Sequence, residues 1–411
     1  MSTVAAPPPA PVAAAPTATL GAYARRWLDN VRGGELGSLP IILGLLVIGV
    51  VFQVQNANFL TAGNFVNLMV QAAAYALVAI GIVFVLLLGE IDLSVGYVSG
   101  VAGVIVSLLL LPDGANVPTA IGIAAALASG IAIGTLHGVI ITKVGIPSFV
   151  VTLAGLLAWN GVVLLLIGAR GTVVLQDNFV IGFANDFVPK GAAWVLTLLT
   201  VAAYAGVQLY GLRKRMAAGL PNDPLLIVGL RIAGLFVALA AVVYVVNKDR
   251  GLPYVAVLVG ALIVFWTYVL RRTRFGRHVY AVGGNAEAAR RAGINVDRIR
   301  IACFAICSLM AAVGGIVLAS RLRSVDTNAG GGSILLYSIA AAVIGGTSLF
   351  GGRGHIKAAL LGALVIASID NGLGLLGLSS GTKFVVTGCV LLLAVTVDSI
   401  SRRGRAQSGR A

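Results

Sequence analysis

Three carboxylates stand where an apolar chain makes them expensive. Glu90 and Asp92 lie two residues apart in GEIDLSVG, at the junction of two apolar runs. Asp370 lies in ASIDNGLGLLG, part-way along a third run, with Asn371 beside it. A charge at membrane depth costs about 2.5–3.5 kcal/mol on insertion scales, so such a residue faces a partner, a cavity or a path for a polar cargo. Two roles stay open for Glu90 and Asp92. One is gating; the other is capping, with Asp92 accepting the free N–H groups of a helix that starts at Leu93. For Asp370, lining a water-filled path competes with a buried hydrogen bond that fixes helix packing. His137, alone in an apolar run, reads as a packing residue. Cys303, Cys307 and Cys389 fall inside apolar runs without ligand spacing and read as small buried hydrophobes, so no metal site is expected.

Other chemistry is missing from the chain. It contains no G-x-x-x-x-G-K-[ST] to cradle nucleotide phosphates. GGTSLFGGRGH (345–355) is glycine-rich but lacks the Lys-Ser/Thr ending, and reads as a tight turn or broken helix. HExxH is absent as well. The chain is therefore expected not to be an enzyme and to bind no cofactor of its own. Energy for uphill work would come from an ion gradient or from a separate subunit.

The elements that position these residues follow from composition. Of 411 residues 59% are hydrophobic and 10% charged, and the mean hydropathy is +1.00. A soluble domain has about a quarter of its residues charged, so this chain cannot cover a water-facing surface. Its apolar runs are too long and continuous for barrel strands. Twelve are expected as helices: 39–54, 64–89, 93–111, 118–141, 147–168, 191–210, 232–246, 252–270, 301–320, 333–350, 357–377 and 381–400. The fold class is an all-α polytopic membrane protein, a bundle of about 10–12 transmembrane helices. The run 232–246 is short and the turn 89–93 carries no basic residue, so either could be re-entrant.

The net charge of +15 does not point to nucleic acid, because the basic residues sit at the ends of apolar runs. With the N-terminus inside, 22 of the 29 Lys and Arg residues fall in cytoplasmic segments, which places both termini in the cytoplasm. Residues 1–38 begin with an Ala/Pro-rich stretch and are expected to form a disordered cytoplasmic tail. Residues 401–411 form a second cytoplasmic tail. Gly130, Gly134 and Gly138 make a ladder at four-residue spacing, and Gly96 and Gly100 make another. Such rows let helix backbones approach closely in lipid.

The longest polar interval, 271–300, holds eight of the basic residues. Within it Asn285 is placed to cap a short helix through Ala286, Glu287, Ala288, Ala289, Arg290, Arg291 and Ala292. Gly293 stands where a left-handed residue would end that helix, before Ile294. Glu287 in the first turn and Arg290 and Arg291 in the last suit the helix dipole. A helix this short needs something to pack against. A solvated connection and a docking helix for a cytoplasmic partner are the two alternatives.

Five segments carry a resemblance: GEIDLSVGYVSGVAG (89–103), GIPSFVVTLAG (145–155), TRFGRHVYAVGGNAEAARRAGI (273–294), AAAVIGGTSLFGGRG (340–354) and IDNGLGLLG (369–377). In this order they resemble the permease subunits of bacterial ABC importers for monosaccharides, the ribose/xylose/galactose class. The length and an apolar pair within 191–250 are similar to the xylose type. The resemblance implies a permease domain over 39–400 whose segment Gly284–Ile294 is the coupling helix. It implies as partners a second copy of the chain, an ATPase subunit that binds ATP and Mg, and a periplasmic sugar-binding protein, in the bacterial inner membrane. Sugar, in this class a pentose such as xylose, would be held weakly in a path between the copies. Asn64, Asn67, Gln71, Tyr75, Asn160, Asp370 and Asn371 are candidates for lining it. Arg321, Arg323 and Asp326 could meet the binding protein or be merely solvated. A proton-coupled secondary transporter using Glu90, Asp92 and Asp370, and a scaffold without transport, are the alternatives.

Overall fold

The computed structural model describes residues 21, 25, 38–220 and 222–407. The expected tail over 1–38 lies outside the described residues apart from 21, 25 and 38, as does the end of the C-terminal tail beyond 407. The chain forms two compact units. One contains Lys190–Val245, the other Gly37–Pro189 with Val246–Ala411.

The smaller unit holds α7 (Lys190–Ala217) and α8 (Leu225–Val246) and accounts for the expected additional pair. The run expected at 232–246 is longer than its apolar stretch shows. Arg231 lies on α8 and meets Asp223 at 2.8 Å, so the basic residue marks a paired turn rather than a loop. Its 22 residues are enough to cross a bilayer.

In the larger unit the helices are α1 (Leu39–Gln55), α2 (Ala62–Leu87), α3 (Val95–Leu109), α4 (Thr119–Val139), α5 (Ser148–Ile167), α6 (Asn178–Asn185), α9 (Tyr254–Arg272), α10 (Arg274–Gly284), α11 (Ala286–Arg291), α12 (Val296–Leu322), α13 (Ile334–Ile344), α14 (Ile356–Leu375) and α15 (Ser380–Gln407). Residues 72–88 of α2 and its end are all buried, which makes α2 the core of this unit. It packs against α12, α14 and α13, while α12 also packs against α4 and α3. The glycine ladder on α4 explains one of these contacts. A Cβ at Gly130 would stand 2.7 Å from the Ser308 carbonyl oxygen, one at Gly134 would overlap that of Phe304, and one at Gly138 would lie 2.7 Å from Ile301 Cα. Those neighbours all belong to α12, so three small residues bring two backbones into contact.

All twelve expected runs fall on helices, and the protein is an all-α polytopic membrane protein. Among the described residues eight helices are long and apolar enough to cross a membrane, and α1, α3 and α13 are shorter apolar helices. Several expectations need correction. Helix α3 begins at Val95, not Leu93, and α13 ends at Ile344, where the glycines of 345–355 turn the chain. Gly96 and Gly100 face the Ala329–Gly330 backbone in a loop rather than a second helix. Cys303 and Cys307 are buried, but Cys389 is exposed on the outer face of α15. Two short antiparallel ladders are unforeseen. They join β1 (Thr172–Val174) to β4 (Ser324–Asp326), and β2 (Phe187–Val188) to β3 (Leu252–Pro253).

Candidate functional site

The polar interval 271–300 runs from the end of α9 through α10 and α11 into α12, rather than holding one helix in a loop. The short helix at its centre follows from hydrogen bonds that close within a few residues. Asn285 Oδ1 accepts from Ala288 N at 2.9 Å, and Gly293, at φ 84°, lets Ile294 N reach Ala289 O at 3.0 Å. Both ends of α11 are thus capped by local sequence. Ala289 is buried and Ala286 and Ile294 pack on the core, while Gly284, Asn285, Glu287, Ala288, Arg290, Arg291, Ala292 and Gly293 are exposed. Glu287 meets Arg290 at 3.5 Å and Arg291 at 3.2 Å. The outcome is a capped, charged knob with a small apolar foot.

What holds the knob is a junction of three backbones. Gly283 at the end of α10 passes so near Leu87 that a Cβ there would overlap the Leu87 carbonyl oxygen. Gly352 N donates to the same carbonyl at 2.8 Å. Tyr280 Oη donates to Gly354 O at 2.8 Å, and burial raises the pKa of this hydroxyl above its ordinary value. Gly89, just past α2, lies against the Phe350–Gly351 backbone, so three segments of the resemblance meet where α10, the end of α2 and the 345–355 turn converge. Beside them His355, exposed on one face, is held below its ordinary pKa by partial desolvation and by Arg271 and Lys357.

Glu90 and Asp92 take different places in this junction. Glu90 Oε1 lies 3.1 Å from Arg300 Nη2 on α12. Asp92 is buried and does not cap α3 in the expected way. Its Oδ1 accepts from Ser94 N at 2.9 Å and from Ser94 Oγ at 2.6 Å. Ser94 Oγ in turn lies 3.4 Å from His137 Nδ1, and Trp159 Nε1 lies 3.1 Å from His137 Nε2. An indole can only donate, so Nε2 accepts and Nδ1 carries the proton of a neutral ring. Donors then run in one direction, from Trp159 through His137 and Ser94 to the Asp92 carboxylate. His137 is a packing residue as expected, and also a link in the chain that satisfies one oxygen of a buried carboxyl, Oδ1, while Oδ2 is buried without a hydrogen bond. Trp159 and Arg300 carry no signal in the sequence, because each acts across a tertiary contact, and Ser94, although two residues from Asp92, shows its link to His137 only in the fold.

The path candidates are brought together only in part. Asn64 on α2 and Asn371 on α14 exchange both amide hydrogen bonds, at 2.8 and 3.0 Å, and both are buried. Tyr75 stands edge-on to Tyr337 of α13, with centroids 5.4 Å apart. Asn67 accepts from Arg250 at 2.6 Å, and Gln71 lies half-buried between it and Tyr75 on α2. Asp370 is nearer the end of its helix than its run indicated, and Lys383 Nζ stands 3.9 Å from it. Asn160 does not join this group, since α5 packs against α3 and α4. Arg323 contacts Asn185 Oδ1 of α6 at 3.3 Å, and Asp326 lies on β4.

The family model described as "Branched-chain amino acid transport system / permease component" matches residues 64–395. The Xylose transport system permease protein XylH of Escherichia coli K12 is 37% identical over 347 residues, covering 84% of this chain and 87% of the relative. The protein of that name from Haemophilus influenzae is 33% identical over 367 residues, covering 88% and 96%. The Ribose import permease protein RbsC of Escherichia coli K12 is 32% identical over 358 residues, covering 87% and 92%. No solved structure matches the chain.

Proposed function

We propose, from the premise that this chain belongs to the family of branched-chain amino acid transport system permease components, that it is the membrane subunit of an ATP-driven importer for a monosaccharide. Its similarity to xylose and ribose permeases supports a pentose as the substrate class, with D-xylose first. The observation that carries this assignment is α11: an exposed helix, capped at both ends, on a small apolar foot, and joined to α10, whose Gly283 abuts the end of α2. A partner ATPase that binds ATP and Mg would grip it. Closure of that partner would rock the packed helices between two states, each ligand shifting the balance by its differential contacts. Two copies of the chain would enclose the path, a periplasmic sugar-binding protein would deliver the sugar, and the assembly would sit in the bacterial inner membrane with both termini cytoplasmic.

The proton-driven alternative is less well supported. Glu90 has Arg300 as partner, Asp370 has Lys383, and Asp92 Oδ1 accepts two hydrogen bonds from Ser94, while its Oδ2 is buried away from water. A carrier carboxylate needs to exchange protons with water, and these three are engaged elsewhere. The test uses vesicles containing the chain with its co-expressed neighbours, supplied with labelled D-xylose. Uptake should require ATP and survive collapse of the proton gradient. Glu287→Lys reverses the charge pattern of α11, and Gly293→Pro cannot adopt its positive φ. Each should leave membrane insertion intact and uncouple ATP hydrolysis from uptake. Unchanged uptake in both variants would refute the coupling role of α11.

A further inference from the structure

Resting on that assignment, we infer that the Glu90–Arg300 ion pair is the contact through which α11 pulls on α2, so that both are positioning residues for transport. The end of α2 is held from two directions by the two ends of the segment that carries α11. Before α11, Gly283 abuts the Leu87 carbonyl. After it, Arg300 on the second turn of α12 reaches Glu90 at 3.1 Å. Glu90 belongs mechanically to α2, because its own N–H bonds back to Val85 O at 3.1 Å.

The two contacts differ in what they can transmit. Backbone atoms in van der Waals contact at Gly283 resist compression, so they push α2 when α11 moves inward. They do nothing when it moves away. A charge-assisted hydrogen bond resists separation as well, so the ion pair can pull. Its side chains are only 29% and 16% exposed, which limits the water available to replace either partner. Among the described residues no second carboxylate contacts Arg300, and its Nε is buried without a hydrogen bond. The bonds from Tyr280 to Gly354 and from Gly352 to Leu87 also join α10 to α2, but only by way of the 345–355 turn, so the direct contact that can pull α2 is Glu90–Arg300. The load reaches far, because α2 has 26 residues, about 39 Å at 1.5 Å per residue, with Asn64 near its opposite end.

The experiment reconstitutes the chain with its ATPase and binding protein, and measures labelled D-xylose uptake and phosphate release on the same vesicles. Glu90→Gln, Arg300→Gln and the exchange Glu90→Arg with Arg300→Glu are compared with the wild type. Each single variant should keep ATP hydrolysis within about twofold and lose about fivefold or more of the sugar carried per ATP. The exchange should recover at least half of that loss. Wild-type coupling in the single variants overturns the inference while leaving the transport assignment standing, and so does an exchange that recovers nothing. Parallel loss of assembly, hydrolysis and uptake marks a pair that is merely structural and overturns it too. If ATP fails to drive uptake by the wild type, the transport assignment fails and the inference falls with it.

Discussion

Asn64 and Asn371 lie 307 residues apart in sequence and exchange two amide hydrogen bonds, Nδ2 of each donating to Oδ1 of the other. Asn64 Nδ2 also donates to Phe59 O at 2.8 Å, so this amide ties α2, α14 and the chain before α2 together. Both side chains are under a tenth exposed. The two path candidates therefore face each other across the contact of α2 with α14.

The pair predicts an asymmetry between single and double replacement. Asn64→Leu or Asn371→Leu alone leaves a buried amide without its partner, which costs about 1–3 kcal/mol. Replacing both removes the unpaired groups along with the bonds, and should cost less than either single change. Thermal unfolding of the purified chain in detergent measures this. Additive losses would show that the two amides do not depend on each other.

The hydrogen-bond chain ending on Asp92 predicts a second coupling, at Gly155. A Cβ there would stand 2.7 Å from His137 Nε2, the atom that accepts from Trp159. Gly155→Ala should displace the imidazole, break the link to Trp159 and cost about 1–3 kcal/mol as an overpacked site. His137→Ala in the same chain makes room for the methyl, so the double variant should lose less than the sum of the two. Melting temperatures of the four proteins in this cycle test it, and a strictly additive result would refute the crowding at His137.

How much of this was legible in the sequence depends on the distance over which each feature closes. Asn285, Glu287 and Gly293 declare α11 because its caps and ion pairs join residues no more than five apart. The ladder Gly130, Gly134, Gly138 declares a close helix contact because its period is that of one helix face. The partners are another matter. Nothing near Gly96 and Gly100 shows that they meet a loop, and nothing near Glu90 points 210 residues ahead to Arg300. Arg231 broke an apolar run and hid the start of α8, since its neutralising partner Asp223 lies before the helix. Cys389 was misplaced because apolar neighbours say only that a segment is greasy, not which face of the helix points outward.

His355 predicts a dependence on pH. His355 keeps an exposed face, yet its pKa is held below the ordinary value of 6.5, first by partial desolvation against its packed neighbours and then by Arg271 and Lys357, so its contribution is a small one. Below that value the unfolded chain takes up a proton that the folded chain resists, so stability rises with pH through this range. The contribution is fully present above about pH 6.5 and declines as the pH falls below it. His355→Gln should flatten this part of the curve of melting temperature against pH. A slope identical in wild type and variant would assign the dependence to other groups.

Gly283 carries the sharpest steric prediction, because it is the point where the segment bearing α11 leans on the core. Any side chain there overlaps the Leu87 carbonyl, and Gly352 N, which donates to that carbonyl, would be 2.9 Å from the new Cβ. The junction cannot yield cheaply, since both neighbours are backbone atoms and Leu87 ends a helix that is buried throughout its last turns. Gly283→Ala must therefore open the junction between α10, α2 and the 345–355 turn, at a cost of about 1–3 kcal/mol or more. The control is Gly260→Ala on α9, where nothing lies within 4 Å of the added methyl and alanine is the better helix former. Gly260→Ala should match or exceed the wild-type melting temperature, while Gly283→Ala should fall below it and expose Leu87 and Gly352 to faster amide exchange around the junction. If Gly283→Ala melted with Gly260→Ala, the backbones would have room to part, and α11 would not be seated on the end of α2.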